Sequence, residues 1–147
     1  MKTYEIDESN LKQLYKELDF KFANDLDYLV SVLPHTMDTR KSIGEELLNA
    51  LPSHALLINV GRGSAVDESA LIEALNQNKI AGAVLDVFEQ EPLPKEHPFW
   101  TTPNLLMTFH TSAPSFPEDI ARIFIENYKL FNSGKSLKYQ VDFERGY

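Results

Sequence analysis

LLINVGRGSAVDESALIEAL, which spans Leu56 to Leu75, has the pattern of a buried strand, a tight turn and an amphipathic helix. The continuous apolar run from Ala55 to Val60 has the length of a strand. Gly61 and Gly63 then turn the chain, and Asp67 is a typical N-cap residue for the helix that follows. The apolar positions of that helix recur at helical spacing: Leu71, Ile72 and Leu75. This unit predicts an α/β protein.

Further apolar runs of strand length lie on either side of this unit: Tyr28 to Leu33, Ala81 to Val87 and Leu105 to Phe109. Because each run is apolar at successive positions, both faces of each strand are expected to be buried. Strands of this kind that alternate with helices predict a parallel sheet with helices on both faces. The order of the strands in the sheet does not follow from the sequence.

Helical spacing of apolar residues appears in other segments as well. The first segment has its apolar stripe at Leu11, Leu14, Tyr15 and Leu18. The second is stopped by Pro52 and has its stripe at Ile43, Leu47, Leu48 and Leu51. The last is expected to start at Pro117 and to be capped by Gly134. The residues of this last helix expected to face the core are Ile120, Ile123, Phe124, Tyr128 and Phe131.

The composition limits the classes of partner. The chain has 147 residues, a net charge of -8 and no cysteine. Nucleic acids and anionic membranes select basic surfaces, so neither is expected to bind. No apolar run is long enough to cross a membrane, and a chain without cysteine fits a reducing compartment. We therefore expect a cytoplasmic protein with one well-buried core.

Three chemically active residue types stand where predicted strands end or in the loop that follows one. Arg62 follows the strand that ends near Val60, Glu91 lies in the proline-rich loop after Asp86, and His110 follows Phe109. Open parallel sheets bind ligands at the carboxyl ends of their strands. A guanidinium can bind a carboxylate, and an imidazole paired with a carboxylate can donate a proton to a carbonyl. Taken singly, each residue is more commonly an ordinary surface or capping residue.

Two other kinds of site have weaker support in the sequence. Gly61 and Gly63 imitate the start of a dinucleotide-binding glycine loop, but the third glycine position is occupied by Val66. A phosphate-binding loop at this turn is therefore not expected. No histidine or carboxylate pair has the spacing of a metal site, so no metal is expected.

Several motifs together resemble a known family. LPHTMDTR (Leu33 to Arg40), LLINVGRGSAVDESALIEAL, AGAVLDVFEQEPLP (Ala81 to Pro94) and MTFHTSA (Met107 to Ala113) resemble the cofactor domain of the D-isomer-specific 2-hydroxyacid dehydrogenases. The resemblance extends from about Leu11 to Ser133. The stretches EPLPKEHPFW and QVDFERGY resemble the glyoxylate/hydroxypyruvate reductase A branch of that family.

The resemblance implies a role for each matching position. Arg62 would bind the substrate carboxylate, His110 would be the acid/base, and Glu91 would be its partner. Asp86 would contact the nicotinamide carboxamide, and the rest of the dinucleotide would be lined by Pro34, Thr39, Val60 and Gly61. The implied reaction is hydride transfer from NAD(P)H to a short 2-keto acid, and the branch favours NADP slightly over NAD. Phe109 stands where members of the family usually have proline.

The resemblance also implies how the chain is organised. In that family a substrate domain precedes the cofactor domain, and the cofactor domain begins with GxGxxG, which this sequence lacks. Residues 1–147 are therefore expected to be the C-terminal portion of an incomplete Rossmann-type dinucleotide-binding domain. The strand from Tyr28 would then have an open edge, which predicts a homo-oligomer or a complementing N-terminal half.

Two alternatives remain open from the sequence. The first is a truncated remnant or assembly module without activity of its own, because the glycine loop and the substrate domain are missing. The second is a flavodoxin-like or other nucleotide-binding module that uses Gly61 and Gly63. Binding of NADH or NADPH to the isolated chain would argue against the remnant, and reduction of a keto acid would argue against the nucleotide-binding module.

Overall fold

Four short parallel strands form one sheet in the computed structural model, which describes residues 20–144. The strands are β1 (Tyr28–Ser31), β2 (Leu56–Asn59), β3 (Gly82–Leu85) and β4 (Leu105–Met107), and they are adjacent in chain order, β1-β2-β3-β4. The α-helices are α1 (Glu45–Ala50), α2 (Glu68–Asn76) and α3 (Pro117–Asn132). Short 3₁₀ helices occupy Lys21–Asp25, Gly63–Ala65 and Pro98–Thr101. The predicted α/β class with a parallel sheet is confirmed.

The chain divides into two units. The first ends at His110 and contains the whole sheet with α1 and α2, whereas the second begins at Thr111 and contains α3. Within residues 20–144, no helix is long and apolar enough to cross a membrane. The predicted helix at Leu11 to Leu18 lies outside the described residues.

The core of the first unit lies against one face of the sheet. Leu57 and Leu85 on the strands pack in one apolar cluster with residues of both helices, chiefly Leu47, Leu48, Leu71 and Leu75. Side chains alternate between the faces of a strand, so the intervening residues point to the other side. The main part of the expected core is thus confirmed.

The prediction that the first strand is buried on both faces is wrong. Tyr28, Val30 and Val32 are more than half exposed, and Leu106 on β4 is 62% exposed. Through the strand register Val30 is paired with Ile58, which is paired with Val84, so these residues belong to one face of the sheet. The described part of the first unit leaves this face uncovered. β1 is also an edge strand of the described sheet, as expected.

The last helix confirms one prediction and contradicts another. It begins at Pro117, and Gly134 adopts a left-handed conformation just past its end, with φ 63°. However, α3 has no buried residue, and four of its expected core residues are exposed: Ile120, Phe124, Tyr128 and Phe131. Ile123 is only partly buried. The described part of the second unit contains no other helix or strand that could cover this apolar stripe.

Asp67 caps α2 as the sequence predicts. Its Oδ1 accepts hydrogen bonds from the amides of Ser69 at 3.1 Å and Ala70 at 3.3 Å. Its Oδ2 lies 3.2 Å from Lys41 Nζ. Partial burial raises the pKa of Asp67, but the Ala70 amide, Lys41 and the Ser69 amide together hold that pKa below its ordinary value.

Removing this cap should destabilise the fold. Asp67→Ala is expected to lower the free energy of unfolding by about 1 kcal/mol in denaturant titrations near neutral pH. Asp67→Asn is the matched control, because an amide oxygen can still accept the Ser69 and Ala70 hydrogen bonds. The wild-type carboxylate has a lowered pKa, so its contribution is complete above the ordinary Asp pKa and is lost as pH falls through the lowered value. An alanine variant as stable as the wild type at neutral pH would contradict the capping role.

Candidate active site

The carboxyl ends of the strands carry the predicted site residues on one edge of the sheet. Arg62 follows β2, Asp86 directly follows β3, and His110 follows β4. Because the strands are parallel and adjacent, their carboxyl ends share one edge. The fold therefore places these residues on neighbouring strand ends, although they are far apart in sequence.

A buried asparagine shapes the loop that carries Arg62. Asn59 is fully buried, its Oδ1 accepts from the Gly61 amide at 3.1 Å, and its Nδ2 donates to the carbonyl of Arg62 at 3.0 Å. The Asn59 side chain thus holds the backbone of this loop at both Gly61 and Arg62. The guanidinium of Arg62 donates from Nη1 to the Gly61 carbonyl at 2.8 Å.

The glycines beside Arg62 are required by close backbone packing. A Cβ on Gly61 would lie 2.6 Å from the Leu33 amide nitrogen, and one on Gly63 would lie 1.9 Å from the Phe88 carbonyl carbon. Neither glycine has a positive φ. The chain bends at Gly61 and enters a 3₁₀ helix at Gly63, so it turns where the sequence predicts. The missing side chains also let the Arg62 loop lie directly against the chain after β1 and after β3.

His110 and Glu91 form a direct pair. Nδ1 of His110 donates to Oε2 of Glu91 at 2.8 Å, and Oε1 of the same carboxylate accepts from the Phe88 amide at 2.9 Å. The Phe88 amide thus orients the Glu91 carboxylate, and the carboxylate in turn orients the His110 imidazole. Because Nδ1 is engaged, Nε2 is the nitrogen left for a substrate.

The surroundings of Glu91 favour its charged form. Partial burial raises the pKa of Glu91, but the hydrogen bonds from His110 and the Phe88 amide, with the charges of His110 and Arg62, hold that pKa below its ordinary value. The predicted carboxylate and imidazole are thus in direct contact, and Arg62 follows β2 at the same edge of the sheet.

Asp86 supports the strand end beneath His110. It is 1% exposed, its Oδ1 accepts from the Thr108 hydroxyl, and its carbonyl accepts from the His110 amide at 2.6 Å. His110 has a positive φ of 55°, a conformation that disfavours most L residues and so must be held by its surroundings. The contact of Asp86 with a nicotinamide carboxamide stays a prediction.

Thr39 and Pro34 belong to a hydrogen-bonded loop after β1. Thr39 is fully buried, and its hydroxyl donates to the Pro34 carbonyl at 2.7 Å. The Thr36 amide donates a hydrogen bond to the same hydroxyl at 3.0 Å. Thr39 thus braces the loop, and its contact with a dinucleotide stays a prediction. The Val60 amide donates to the Ser31 carbonyl at 3.0 Å, which fixes Val60 against the end of β1.

A cleft of about 380 Å³ adjoins the His110–Glu91 pair. Apart from that pair, its lining is apolar and comes from Phe88, Pro92, Leu93 and Phe109. A small ligand in this cleft would meet one acid–base pair on an apolar wall, which is typical of small-molecule sites. Residues 20–144 contain no group of three or more histidine or acidic side chains that could bind a metal ion.

Comparison with known proteins shows which family the chain belongs to. Residues 2–112 match the sequence profile of the D-isomer specific 2-hydroxyacid dehydrogenase, NAD binding domain. The chain belongs to this family. It is 40% identical to glyoxylate/hydroxypyruvate reductase A of Salmonella paratyphi B over 126 residues. This alignment covers 86% of this chain and 40% of that enzyme.

Solved structures of D-2-hydroxyacid dehydrogenases agree. The enzyme from Xanthobacter autotrophicus Py2, in complex with NADPH and MES, has a TM-score of 0.82 and 42% identity over 89% of this chain and 42% of that chain. The NADPH-dependent glyoxylate/hydroxypyruvate reductase of Sinorhizobium meliloti, in complex with NADP and sulfate, has a TM-score of 0.82 and 32% identity over 100% of this chain and 47% of that chain. The chain thus spans less than half of these relatives.

Sequence reasoning missed several residues that build this candidate site. Asn59 and Thr108 bond to groups on the Arg62 loop and on Asp86. His35 Nδ1 lies 2.7 Å from the Ser64 hydroxyl and links the loop after β1 to the loop after β2. A polar residue such as Asn59 inside an otherwise apolar strand is the one signal that could have revealed such a support, because buried polar groups need hydrogen-bond partners.

Proposed function

We propose that this chain supplies the acid–base and carboxylate-binding part of an NAD(P)-dependent dehydrogenase that reduces short 2-keto acids such as glyoxylate or hydroxypyruvate. The observation that carries the proposal is the 2.8 Å hydrogen bond between His110 and Glu91 beside the cleft. The identity to glyoxylate/hydroxypyruvate reductases supports the substrate class.

Each charged residue has a distinct task in this proposal. Arg62 binds the carboxylate of the keto acid with its planar fork and so orients the carbonyl. His110 donates a proton from Nε2 to the carbonyl oxygen as the alcohol forms. Glu91 fixes the imidazole through Nδ1 and stabilises its protonated form. General acid catalysis of this kind contributes about 100- to 10,000-fold to a rate.

The residues at this edge fit the nicotinamide end of a dinucleotide. Pro34, Val60 and Gly61 lie at the ends of β1 and β2, and Asp86 lies at the end of β3. The close contact of Gly61 with Leu33 draws the first two of these loops together. When bound, NAD(P)H supplies the hydride. NADP is favoured, since the similar structures were solved with NADPH or NADP.

The pyrophosphate end needs a further contribution. The six glycines of the sequence do not form GxGxxG, so the helix N-terminus that normally binds this group is not encoded here. We infer that a complementing N-terminal half, or a second copy of the chain, lies against the β1 edge. In residues 20–144, β1 is an edge strand, and Tyr28, Val30 and Val32 are exposed. Both observations support this inference, because an apolar edge strand pairs readily with another chain.

Calorimetry and an absorbance assay test the proposed function together. NADH and NADPH are titrated into the chain, and NADPH oxidation is then followed with glyoxylate or hydroxypyruvate, with and without a segment that carries a glycine loop. We expect micromolar cofactor binding and turnover that rises when the segment is added. Turnover that disappears in Arg62→Ala links it to this site. No binding and no turnover under either condition would favour the alternative, an assembly module without catalysis.

A further inference from the structure

Phe109 is an exposed aromatic residue whose ring contacts two other rings. It is 52% exposed, yet its ring stacks on Trp100 with centroids 5.9 Å apart and planes 28° apart. It also lies 5.7 Å from the ring of Phe88 at a tilt of 36°. We call Phe88, Phe109 and Trp100 the aromatic row. Aromatic pairs at such distances attract each other beyond simple burial of area.

Phe88 and Trp100 are both anchored in the loop between β3 and β4. Phe88 is buried and contacts the fully buried Phe99 at 6.2 Å. Trp100 is 47% exposed, but its Nε1 donates to the Pro94 carbonyl at 2.7 Å. Glu91 lies in the same loop, and its carboxylate accepts from the Phe88 amide. The row and Glu91 therefore share one support.

The ring of Phe109 thus restrains the chain just before His110. His110 has a positive φ, and its imidazole is 55% exposed, so little burial holds the side chain in place. Its amide bonds to the Asp86 carbonyl, and its imidazole bonds to Glu91. These two hydrogen bonds hold His110 at its backbone and at its ring. The contact of Phe109 with the loop adds a third restraint, which keeps the end of β4 close to Glu91.

We propose that Phe109 is a positioning residue, which acts through the aromatic row to keep His110 Nδ1 on the Glu91 carboxylate. The proposal rests on the proposed function for its meaning in catalysis, but the geometry can be tested without turnover. The proposal also assigns a role to Phe109, which stands where proline is usual in the family.

The test measures the pKa of the Glu91 carboxyl by NMR in the chain itself, with Glu91→Gln used to assign the signal. In the wild type this pKa should lie below its ordinary value, and His110→Ala should raise it, because the hydrogen bond from His110 is one cause of the lowering. Phe109→Leu keeps an apolar side chain but removes the ring, and it should raise the Glu91 pKa in the same direction. Phe109→Tyr keeps the ring and should leave the pKa at the wild-type value.

The outcomes separate positioning from simple stabilisation. If Phe109→Leu lowers the melting temperature but leaves the Glu91 pKa unchanged, the proposal is overturned. If that variant does not fold, Trp100→Leu removes the stacking partner instead and must raise the Glu91 pKa for the proposal to stand. A raised Glu91 pKa in a chain that reduces no keto acid, with or without the glycine-loop segment, would support the positioning while contradicting the proposed function.

Discussion

Replacing His110 with alanine is expected to lower kcat for keto-acid reduction about 100- to 10,000-fold, because the variant has no group that can donate a proton to the carbonyl oxygen. The measurement is steady-state turnover with glyoxylate and NADPH, in whichever preparation of the chain, alone or complemented, turns over. KM should change far less than kcat, since the substrate carboxylate is bound by Arg62 in the proposed arrangement.

His54→Ala is the matched control for this experiment. His54 is also an exposed histidine paired with a carboxylate, with Nε2 3.3 Å from Asp27 Oδ1, but it precedes β2 and so lies at the opposite end of the strands. Its replacement should leave kcat within experimental error. If the two variants retain equal activity, His110 is not the proton donor, and the proposed mechanism is wrong.

Replacing Gly63 with alanine should destabilise the fold by on the order of 3 kcal/mol. The added Cβ would lie 1.9 Å from the carbonyl carbon and 2.1 Å from the carbonyl oxygen of Phe88. These are backbone atoms, so no side chain can rotate away to relieve the clash. The loop with Arg62 or the segment with Phe88 must shift, and a domain has only about 5–15 kcal/mol of stability in total. Chemical denaturation followed by circular dichroism measures the loss.

Gly44→Ala provides the comparison for Gly63. A Cβ there would meet only the Lys41 carbonyl oxygen at 3.3 Å, and Gly44 has φ -106°, which any residue can adopt. The change should cost about 0.5–1 kcal/mol, since alanine is a poor residue at the N-cap of α1. Similar losses in both variants would show that the tight contact between Gly63 and Phe88 relaxes easily.

The elements of the sheet could be predicted because local patterns determine them. The apolar run before Asn59, the cap at Asp67 and the stop at Pro52 each act within a few residues. The reason for Gly63 could not be predicted, because it depends on a backbone segment 25 residues later in the chain that only the folded sheet brings near. Sequence identifies a glycine, but not whether the glycine serves conformation or close packing.

The site was predictable only in part for a similar reason. His110 and Glu91 are 19 residues apart, and their pairing was expected from the resemblance rather than from any periodicity. Asn59 was counted among strand residues, although its side chain organises the Arg62 loop. The stripe on α3 was assigned to the core because amphipathic spacing shows that a face is apolar, but not which surface covers it.

Because the four strands run in the same direction, the amino ends of the strands and the candidate site lie at opposite ends of the first unit. The turns that enter β2 and β3, at Ser53 and Asn78, are exposed and stand at the amino ends of their strands. A four-residue strand is roughly 13 Å long, so this distance lies between either turn and the edge that carries Arg62 and His110. A fluorophore or surface tether attached at Asn78 would therefore leave the edge that carries Arg62 and His110 open to small molecules.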